Sequence, residues 1–224
     1  MKNSVRTTKE NSLQIRQLGL QDYQTTCNAM KDFCLQRNDE TSDEVWFVEH
    51  HRVFTQGVSG KPEHVLTSSD IPIVQSDRGG QITYHGPGQL VMYVLFDLPR
   101  LGTGVRSLVD VLENITIDGL KKYGLKSVAR KDAPGVYLDN KKIASIGLRV
   151  KKGCSYHGLS VNINMDLTPF SYINPCGYEG LEVTQLSEHA VKCNLSDFAA
   201  ILLHEIKAQL NYTELTLGPN TLPT

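Results

Sequence analysis

Apolar and polar positions recur along the chain with two periods, and the helical period appears in three places. Over Leu20–Arg37 no glycine or proline interrupts a pattern in which apolar side chains return every three or four residues, which predicts a helix. A second helix is predicted over Val105–Tyr123, with Gly124 as its stop. A third begins near Ser196, whose hydroxyl suits an N-cap.

The strand period is shorter and appears in four places. The stretch VWFVEHHRVFTQG (45–57) is rich in β-branched and aromatic residues and predicts a strand. LVMYVLF (90–96) predicts a fully buried strand, and VNINMDL (161–167) alternates as a half-buried strand does. Two apolar runs within 135–150 flank Asp139-Asn140, which predicts a β-hairpin.

Helices and strands are segregated along the chain and do not alternate in regular βαβ units. This order predicts an α+β fold with a mixed or antiparallel sheet and packed helices. We expect a flexible tail over residues 1–12, a single domain over 13–212, and a mobile, turn-rich C-terminal tail over 213–224.

The composition is that of an ordinary soluble protein, with 40% hydrophobic and 21% charged residues among 224. The first twelve residues are polar and do not resemble a secretory signal, and the longest apolar run is too short to cross a bilayer. A cytoplasmic protein is therefore expected. The net charge of −1 provides no general attraction to nucleic acid or to a membrane surface.

Five cysteines occur, at spacings that match no CxxC pair: Cys27, Cys34, Cys154, Cys176 and Cys193. An odd number without paired spacing argues against a disulfide framework and against a cysteine zinc site. Cys27 and Cys34 fall on the apolar face of the first predicted helix and are interpreted as core residues.

The seven histidines include no HExxH motif. Their only cluster is the EHH at 49–51, where adjacent residues on a strand would face opposite ways. We therefore expect no metal site.

The segment 77–98 holds four glycines within ten residues, on either side of the short strand-like QITY. Glycine permits positive φ and lets a ligand approach the main chain closely. The segment contains neither a P-loop string nor the dinucleotide-binding signature. Gly-Pro-Gly by itself would also form a tight turn. Arg78 and His85 at the two ends of the loop favour a binding site for a small ligand.

Two side chains are candidates for nucleophilic chemistry. Strict alternation along 135–150 puts Lys142 on the apolar face and Lys141 on the other; burial would lower the pKa of Lys142. A bulge would change that parity, and a lysine that reaches out to water is the alternative. Cys176 lies between a proline and a glycine in SYINPCGYEG (171–180), an irregular segment. An adjacent ammonium would stabilise its thiolate, although an inert thiol is the common case and no spacing proves contact.

Four stretches, in this order, resemble the bacterial-type lipoyl(octanoyl) transferase family: RGGQITYHGPGQLVMYVLFDL, KKIASIGLRV, HGLSVNINMDL and INPCGYEG. The resemblance extends from about Val45 to Val183. Members of this family move an octanoyl group from acyl carrier protein to a lysine of a lipoyl domain. The resemblance also implies a fold similar to the biotin and lipoate protein ligases.

The resemblance implies that Cys176 is the acyl-thioester nucleophile and that Lys142 promotes its ionisation. It also implies three substrate-binding segments, which comprise Arg78, Gly79, Gly80, Gln81, Ile82, Thr83, Tyr84, His85, Ser145, Ile146, Gly147, Gly158, Leu159 and Ser160. No cofactor is expected, because a carrier thioester already stores the energy for transfer. An apolar tunnel for the acyl chain could be built from Ile146, Leu148, Val161 and Ile163, and the alternative is that many of these side chains are simply core.

The expected partners are octanoyl-acyl carrier protein as donor, and lipoyl domains of 2-oxoacid dehydrogenases and the glycine cleavage H protein as acceptors. Basic stretches at 121–131 and 149–153 could steer an acidic carrier protein, although such stretches are usually solvated surface.

Three other functions stay open from the sequence. The first is an ATP-dependent lipoate or biotin-type ligase, which would use free octanoate and not need Cys176. The second is a non-catalytic module that binds lipoyl domains or carrier protein. The third is a cysteine hydrolase that uses His85, His157 or His189, none of which lies in a recognisable partner motif.

Overall fold

The computed structural model describes residues 12–223, which form eleven strands and four α-helices. In chain order these are β1 (Ser12–Gln21), α1 (Tyr23–Gln36), β2 (Asp43–His50), β3 (Val53–Gln56), β4 (Ile73–Gln75), β5 (Ile82–His85), β6 (Gln89–Leu95), α2 (Leu98–Leu101), α3 (Val105–Lys121), β7 (Val128–Ala129), β8 (Gly135–Leu138), β9 (Lys141–Lys151), β10 (Cys154–Asn162), α4 (Leu195–Gln209) and β11 (Glu214–Leu217). Short 3₁₀ turns include Pro175–Gly177.

The strands form two sheets. The main sheet has the order β11-β1-β2-β6-β10-β9-β8-β7, and the small sheet has the order β4-β3-β5. In the main sheet β1 runs parallel to β2 and β11, whereas the other pairs are antiparallel. The predicted α+β fold with a mixed sheet and packed helices is confirmed.

Helices cover both faces of the main sheet, which explains why every residue of β6 is buried. Met92 packs in the core that α3 and α4 close, and its neighbour Tyr93 packs in the core beneath α1. The small sheet has a third core, which contains Phe54, Ile82, Tyr84, Phe170 and Ile173.

Two predicted elements form with nearly the expected bounds. Helix α3 starts at Val105 as predicted and ends at Lys121, close to Gly124. Strands β8 and β9 form the predicted hairpin, and Asp139 and Asn140 have the positive φ angles that a two-residue type I′ turn requires. In both cases the signal is local, either an apolar stripe or a turn dipeptide.

Four predictions differ from the structure in their bounds. The first helix begins only at Tyr23, because Asp22 caps it by accepting a hydrogen bond from the Thr25 amide at 2.8 Å. The strand predicted over 45–57 is two strands in different sheets, β2 and β3. The strand predicted over 161–167 is wrong beyond Asn162, where β10 ends. Helix α4 is capped by Asn194 and not by Ser196.

The two predicted tails have different outcomes. Residues 1–11 of the predicted flexible tail lie outside the described residues, and Ser12 already belongs to β1, a strand the analysis did not predict. The predicted mobile C-terminal tail contains β11, which pairs with β1 from Ser12 to Ile15. The tail therefore has ladder hydrogen bonds that its turn-rich composition does not indicate. The single domain over 13–212 stays a prediction.

No helix within residues 12–223 is long and apolar enough to cross a membrane.

Candidate active site

A cavity of about 570 Å³ opens where the glycine-rich loop, β9, β10 and the turn Pro175–Gly177 meet. Lys142 and Cys176 both line it, together with most of the loop around Arg78. Three segments that are distant in sequence therefore contribute to one site.

Lys142 and Cys176 are in direct contact: Nζ of Lys142 lies 3.2 Å from Sγ of Cys176. Backbone hydrogen bonds hold their two segments together. The Lys142 amide donates to the Glu182 carbonyl, and the Thr184 amide donates to the Lys142 carbonyl. The chain just after Cys176 is thus fixed beside β9. Cys176 itself has a φ of 56°, followed by Gly177 at 78°, so the turn presents the thiol in a left-handed backbone conformation.

Lys142 is buried, with 3% of its surface exposed, whereas Lys141 is exposed. The alternation from which this was predicted is broken by a bulge at Ile143, because Val136 pairs with Ala144 but Tyr137 pairs with Lys142. The bulge allows Ser145, three residues after Lys142, also to approach Cys176, with Oγ 3.9 Å from Sγ.

The net pKa shift of Lys142 is opposite to the sequence-based expectation. Burial does lower the pKa of Lys142, but the charge of the Cys176 thiolate and the Tyr137 hydroxyl raise it, and the net shift is upward. Loss of solvation could be expected from the sequence, whereas the groups that face the ammonium come from other segments. The Lys142 ammonium also lies 5.5 Å from the centre of the Tyr137 ring.

Three residues that the sequence analysis missed hold Lys142 in place. Tyr137 contacts its ammonium, and Gly135 leaves space for its chain, since a Cβ there would lie 2.6 Å from Lys142 Cε. The Glu113 carboxylate, on α3, accepts a hydrogen bond of 2.8 Å from the Gly135 amide. A carboxylate among the buried positions of an amphipathic helix was a usable signal for Glu113, since buried charges need a partner.

The glycine-rich loop is held close to β9. The Gly79 amide donates to the Leu148 carbonyl at 2.9 Å, and a Cβ on Gly147 would lie 3.1 Å from Arg78 Cδ. Arg78 is buried and donates from Nη2 to the carbonyl and hydroxyl oxygens of Thr55. Gly147 therefore permits the close approach of loop and strand.

Most of the predicted substrate-binding residues line the cavity, namely Arg78, Gly79, Gly80, Gln81, Thr83, His85, Ser145, Ile146, Gly147, Gly158, Leu159 and Ser160. Ile82 and Tyr84 do not; both lie in the core of the small sheet. The reason is the period of β5, which turns alternate residues to opposite faces.

The residues from which a tunnel could be built divide between the cavity wall and the core. Ile146 and Leu148 line the cavity, whereas Val161 and Ile163 are buried in the core beneath α3 and α4. Leu159 of β10 lies in the wall instead.

The cavity also has a polar wall of buried rings. His85 donates from Nδ1 to Oε1 of Gln89 at 2.7 Å, stacks on Tyr23 and lies near His50. Burial lowers the pKa of His85 to about 3 and that of His50 to about 4. Both imidazoles are therefore neutral at physiological pH.

His157, also in this wall, has its Nε2 3.0 Å from an Asp77 oxygen, and its buried Nδ1 has no partner among the described residues. The carboxyl of Asp77 is partly buried, which raises its pKa, but hydrogen bonds from His157 and Tyr156 outweigh this and lower it.

A hydrolase dyad and a metal site are two alternatives that the contacts of the described residues do not support. In residues 12–223, the side chains that hydrogen-bond to its sulfur are Lys142 and Ser145, so none of His85, His157 and His189 forms a hydrolase dyad with it. Within the same range the potential metal ligands Cys27, Asp77 and His157 do cluster, but Lys31 already places its ammonium 3.6 Å from Asp77.

Comparison with known proteins identifies the family. Residues 22–207 match the family Lipoyl protein ligase A/B catalytic domain. The octanoyltransferase of Haemophilus influenzae (strain PittEE) is 55% identical over 210 residues, which cover 92% of this chain and 99% of the relative. The octanoyltransferase of Vibrio cholerae (serotype O1, strain ATCC 39541) is 56% identical over 207 residues, covering 92% and 95%.

Solved structures agree with the fold. Lipoate-protein ligase A bound with ATP matches with a TM-score of 0.77 at 14% identity, over 95% of this chain and 90% of that one. A biotin protein ligase from Aquifex aeolicus matches with a TM-score of 0.54 at 13% identity, over 90% and 68%. At these identities the likeness shows the fold alone, and the predicted similarity to both ligase folds is confirmed. The chain belongs to the octanoyltransferases, acyltransferases within the lipoyl protein ligase A/B catalytic-domain family.

Proposed function

We propose that this chain transfers an octanoyl group from acyl carrier protein to a lysine amine of a lipoyl domain, through a thioester on Cys176. The single observation that supports it best is the 3.2 Å contact between Lys142 Nζ and Cys176 Sγ at the wall of the cavity. A thiolate beside an ammonium is an activated nucleophile, and a covalent acyl-cysteine divides the transfer into two steps.

In the first step the Cys176 thiolate attacks the carbonyl carbon of the donor thioester. The carbon–sulfur bond to the carrier breaks, and the Lys142 ammonium supplies the proton that the departing carrier thiolate takes up. The product is a neutral thioester on Cys176 beside an uncharged Lys142 amine. This charge change favours the next step, because burial continues to lower the pKa of Lys142 while the thiolate charge that raised it is gone.

In the second step the lysine amine of the acceptor attacks the acyl-cysteine carbonyl. The new amide bond forms, the Cys176 thiolate departs, and Lys142 takes up the proton that the amine loses. The ion pair of Lys142 and Cys176 is thereby restored. Atoms and charges balance over the cycle, with the carrier thioester as the source of energy.

The cavity suits the acyl group. Its volume of about 570 Å³ lies within the range typical of small-ligand sites. Ile146, Leu148 and Leu159 supply an apolar wall beside the sulfur. Thr83, Ser145 and the loop Arg78–Gly80 supply the polar groups that would bind the thioester end. Ile82 and Tyr84 belong to the core of the small sheet.

His85 fits a positioning role better than a proton relay. It is buried, its two ring nitrogens face Gln89 and Thr55, and its pKa of about 3 keeps it neutral.

The proposed partners are octanoyl-acyl carrier protein as donor, and the lipoyl domains of 2-oxoacid dehydrogenases and the glycine cleavage H protein as acceptors. The exposed basic residues Arg149, Lys151 and Lys152, at the end of the strand that carries Lys142, support an acidic protein partner. The proposal includes the cytoplasmic location that the composition predicts.

The test is intact-mass analysis after incubation with octanoyl-acyl carrier protein, followed by peptide mapping. We expect a mass increase of one octanoyl group on the peptide with Cys176, and its loss on addition of a lipoyl domain. Cys176→Ala should abolish both, whereas the control Cys193→Ala, at another partly exposed cysteine, should change neither. Transfer from free octanoate and ATP that survives Cys176→Ala would contradict the proposal and support a ligase.

A further inference from the structure

The carboxamide of Gln81 lies against the residue that follows the nucleophile. Gln81 lines the cavity, and a side chain at Gly177 would collide with its carboxamide. Gly177 also has a φ of 78°, where side chains are strained. Gly177 therefore leaves room for the carboxamide next to the residue that carries the sulfur.

This carboxamide has an unused acceptor. Oε1 of Gln81 is buried and has no hydrogen-bonding partner in the part of the chain that the structure describes. A buried acceptor without a donor is unfavourable, which makes a donor brought by a ligand the expected partner. Gln81 and Cys176 border the same cavity, and the carboxamide of Gln81 lies against Gly177, the residue after Cys176.

The two halves of the proposed reaction differ in the donors that they bring. An acyl thioester carries no N–H or O–H at its reacting carbonyl and sulfur. The acceptor lysine brings an amine with two N–H groups and one lone pair. An oxygen that accepts one N–H holds the nitrogen with its lone pair free to attack.

We propose that Gln81 Oε1 binds the attacking lysine amine and directs its lone pair toward the acyl carbon on Cys176. This inference rests on the proposed transferase function. In it, Lys142 takes the proton and Gln81 orients the nitrogen, so Gln81 serves the second half of the cycle and not the first.

The experiment measures the two halves separately with Gln81→Met, which keeps the length of the side chain and removes both polar atoms. Loading of Cys176 from octanoyl-acyl carrier protein should stay within about threefold of wild type. Transfer from the isolated acyl-enzyme to a lipoyl domain should slow about 100-fold, the size expected of a misplaced nucleophile. Gln24→Met, at an exposed glutamine on α1, is the matched control.

Other results overturn the inference. Equal slowing of both halves would assign Gln81 to the oxyanion or to the structure of the loop, and unchanged transfer would remove its role. A wild-type chain that never loads octanoate would refute the proposed function as well. If Gln81→Met does not fold, Gln81→Asn, which withdraws the oxygen by one carbon, is measured in the same way with the same criteria.

A second, independent observation concerns a pair of cysteines away from Cys176. Cys34 on α1 and Cys154 at the start of β10 are buried, and their Sγ atoms lie 2.7 Å apart. A disulfide bond is about 2.0 Å long, so only a small shift separates the two thiols from a bond. Cys34 was predicted to be a core residue, and it packs in the core between α1 and the main sheet.

The surroundings favour reactivity at Cys154. Nη1 of Arg37 lies 3.7 Å from its sulfur. The hydrogen bond from Cys34 and the charge of Arg37 lower the pKa of Cys154, although burial raises it. The thiolate is the form of cysteine that attacks a peroxide.

We infer that Cys34 and Cys154 form an oxidation site that closes to a disulfide in the presence of a peroxide. The Cys154 thiolate attacks one peroxide oxygen, which leaves a sulfenic acid and hydroxide. The Cys34 thiol then displaces that oxygen as water and forms the S–S bond. In sum, two thiols and hydrogen peroxide yield one disulfide and two waters. The bond would fasten α1 to β10, across 120 residues of sequence.

Peptide mapping after brief exposure to hydrogen peroxide tests this site. We expect a linked pair of peptides with Cys34 and Cys154, and a melting temperature about 5–10 °C higher that dithiothreitol reverses. Cys34→Ala should lose both effects, whereas Cys27→Ala, at a buried cysteine on the same helix, should keep them. Oxidation confined to Cys176 or Cys193, with no linked peptide in the wild-type chain, would refute the inference.

Discussion

The ammonium of Lys142 lies 3.2 Å from the sulfur of Cys176, although 34 positions of sequence separate the two residues. The contact depends on the backbone pairing of Lys142 with Glu182 and Thr184, which brings the loop after Cys176 onto the edge of β9. It also depends on the space left at Gly135. The contact is thus a property of the hairpin and the loop together.

Removing the ammonium should slow transfer without unfolding the chain. We expect Lys142→Ala to lower the turnover rate by about 10²–10⁴-fold, because Cys176 loses its counter-charge and the cycle loses its proton carrier. The alkylation of Cys176 by iodoacetamide near neutral pH should slow in parallel. The exposed neighbour provides the control, and Lys141→Ala should behave as wild type in both assays. Full activity of Lys142→Ala would exclude the assigned role.

The absence of a side chain at Gly135 should matter for activity as much as the charge of Lys142, because Gly135 leaves the space that the Lys142 side chain occupies. A Cβ at this position would lie 2.5 Å from the Ala144 carbonyl oxygen and 2.6 Å from Lys142 Cε, at a φ of 135°. We expect Gly135→Ala to lower both the free energy of unfolding, by about 1–3 kcal/mol, and the rate of Cys176 loading.

The control is Gly124→Ala, where φ is 76° but no atom lies within 4 Å of the added carbon. Gly124→Ala should lower the free energy of unfolding by about 1 kcal/mol, through backbone strain alone, and should leave the loading of Cys176 unchanged. Denaturant unfolding and acyl-enzyme formation measure the two effects, and equal losses of loading in both variants would contradict the steric argument.

The neutral histidines should make the chain less stable in acid. Burial lowers the pKa of His85 to about 3 and of His50 to about 4, from an ordinary value of 6.5. Below pH 6.5 these two histidines therefore bind protons in the unfolded chain but not in the folded chain. Stability is complete above pH 6.5 and is lost as the pH falls toward 4 and then 3, at up to about 1.4 kcal/mol per pH unit for each histidine.

Denaturant unfolding between pH 7 and pH 4 measures this slope. His85→Gln removes one of these buried histidines and should make the dependence shallower. His204→Gln, at an exposed histidine, is the matched control. An identical slope in His85→Gln and wild type would show that His85 is not held neutral by the fold.

The basic end of β9 should steer the carrier protein. Arg149, Lys151 and Lys152 are exposed, and we expect their joint replacement by glutamate to slow loading about tenfold or more at low salt. Replacement by glutamine should have an intermediate effect, and high salt should reduce both differences. Loading that is unchanged at low salt would assign these residues to the solvated surface.

How far the sequence determined the fold can be judged from particular elements. Helix α3 and the hairpin of β8 and β9 were predictable because an apolar stripe and an Asp-Asn turn are local signals. β1 and β11 could not be predicted in this way, because each forms its backbone hydrogen bonds with a strand that is distant in sequence. The stretch 45–57 had the composition of one strand, and only the meeting of two sheets divides it into β2 and β3.

Short residue motifs were enough to indicate the class of chemistry. Motifs around Cys176, Lys142 and the glycine-rich loop resemble a known family, and the comparisons confirm that family. Tertiary structure alone decided which atoms meet. The bulge at Ile143, the net pKa shift of Lys142 and the exclusion of Ile82 and Tyr84 from the cavity all depend on neighbours from other segments. Contacts between distant segments leave no periodicity in the chain, which is why Tyr137 and Gly135 carried no signal.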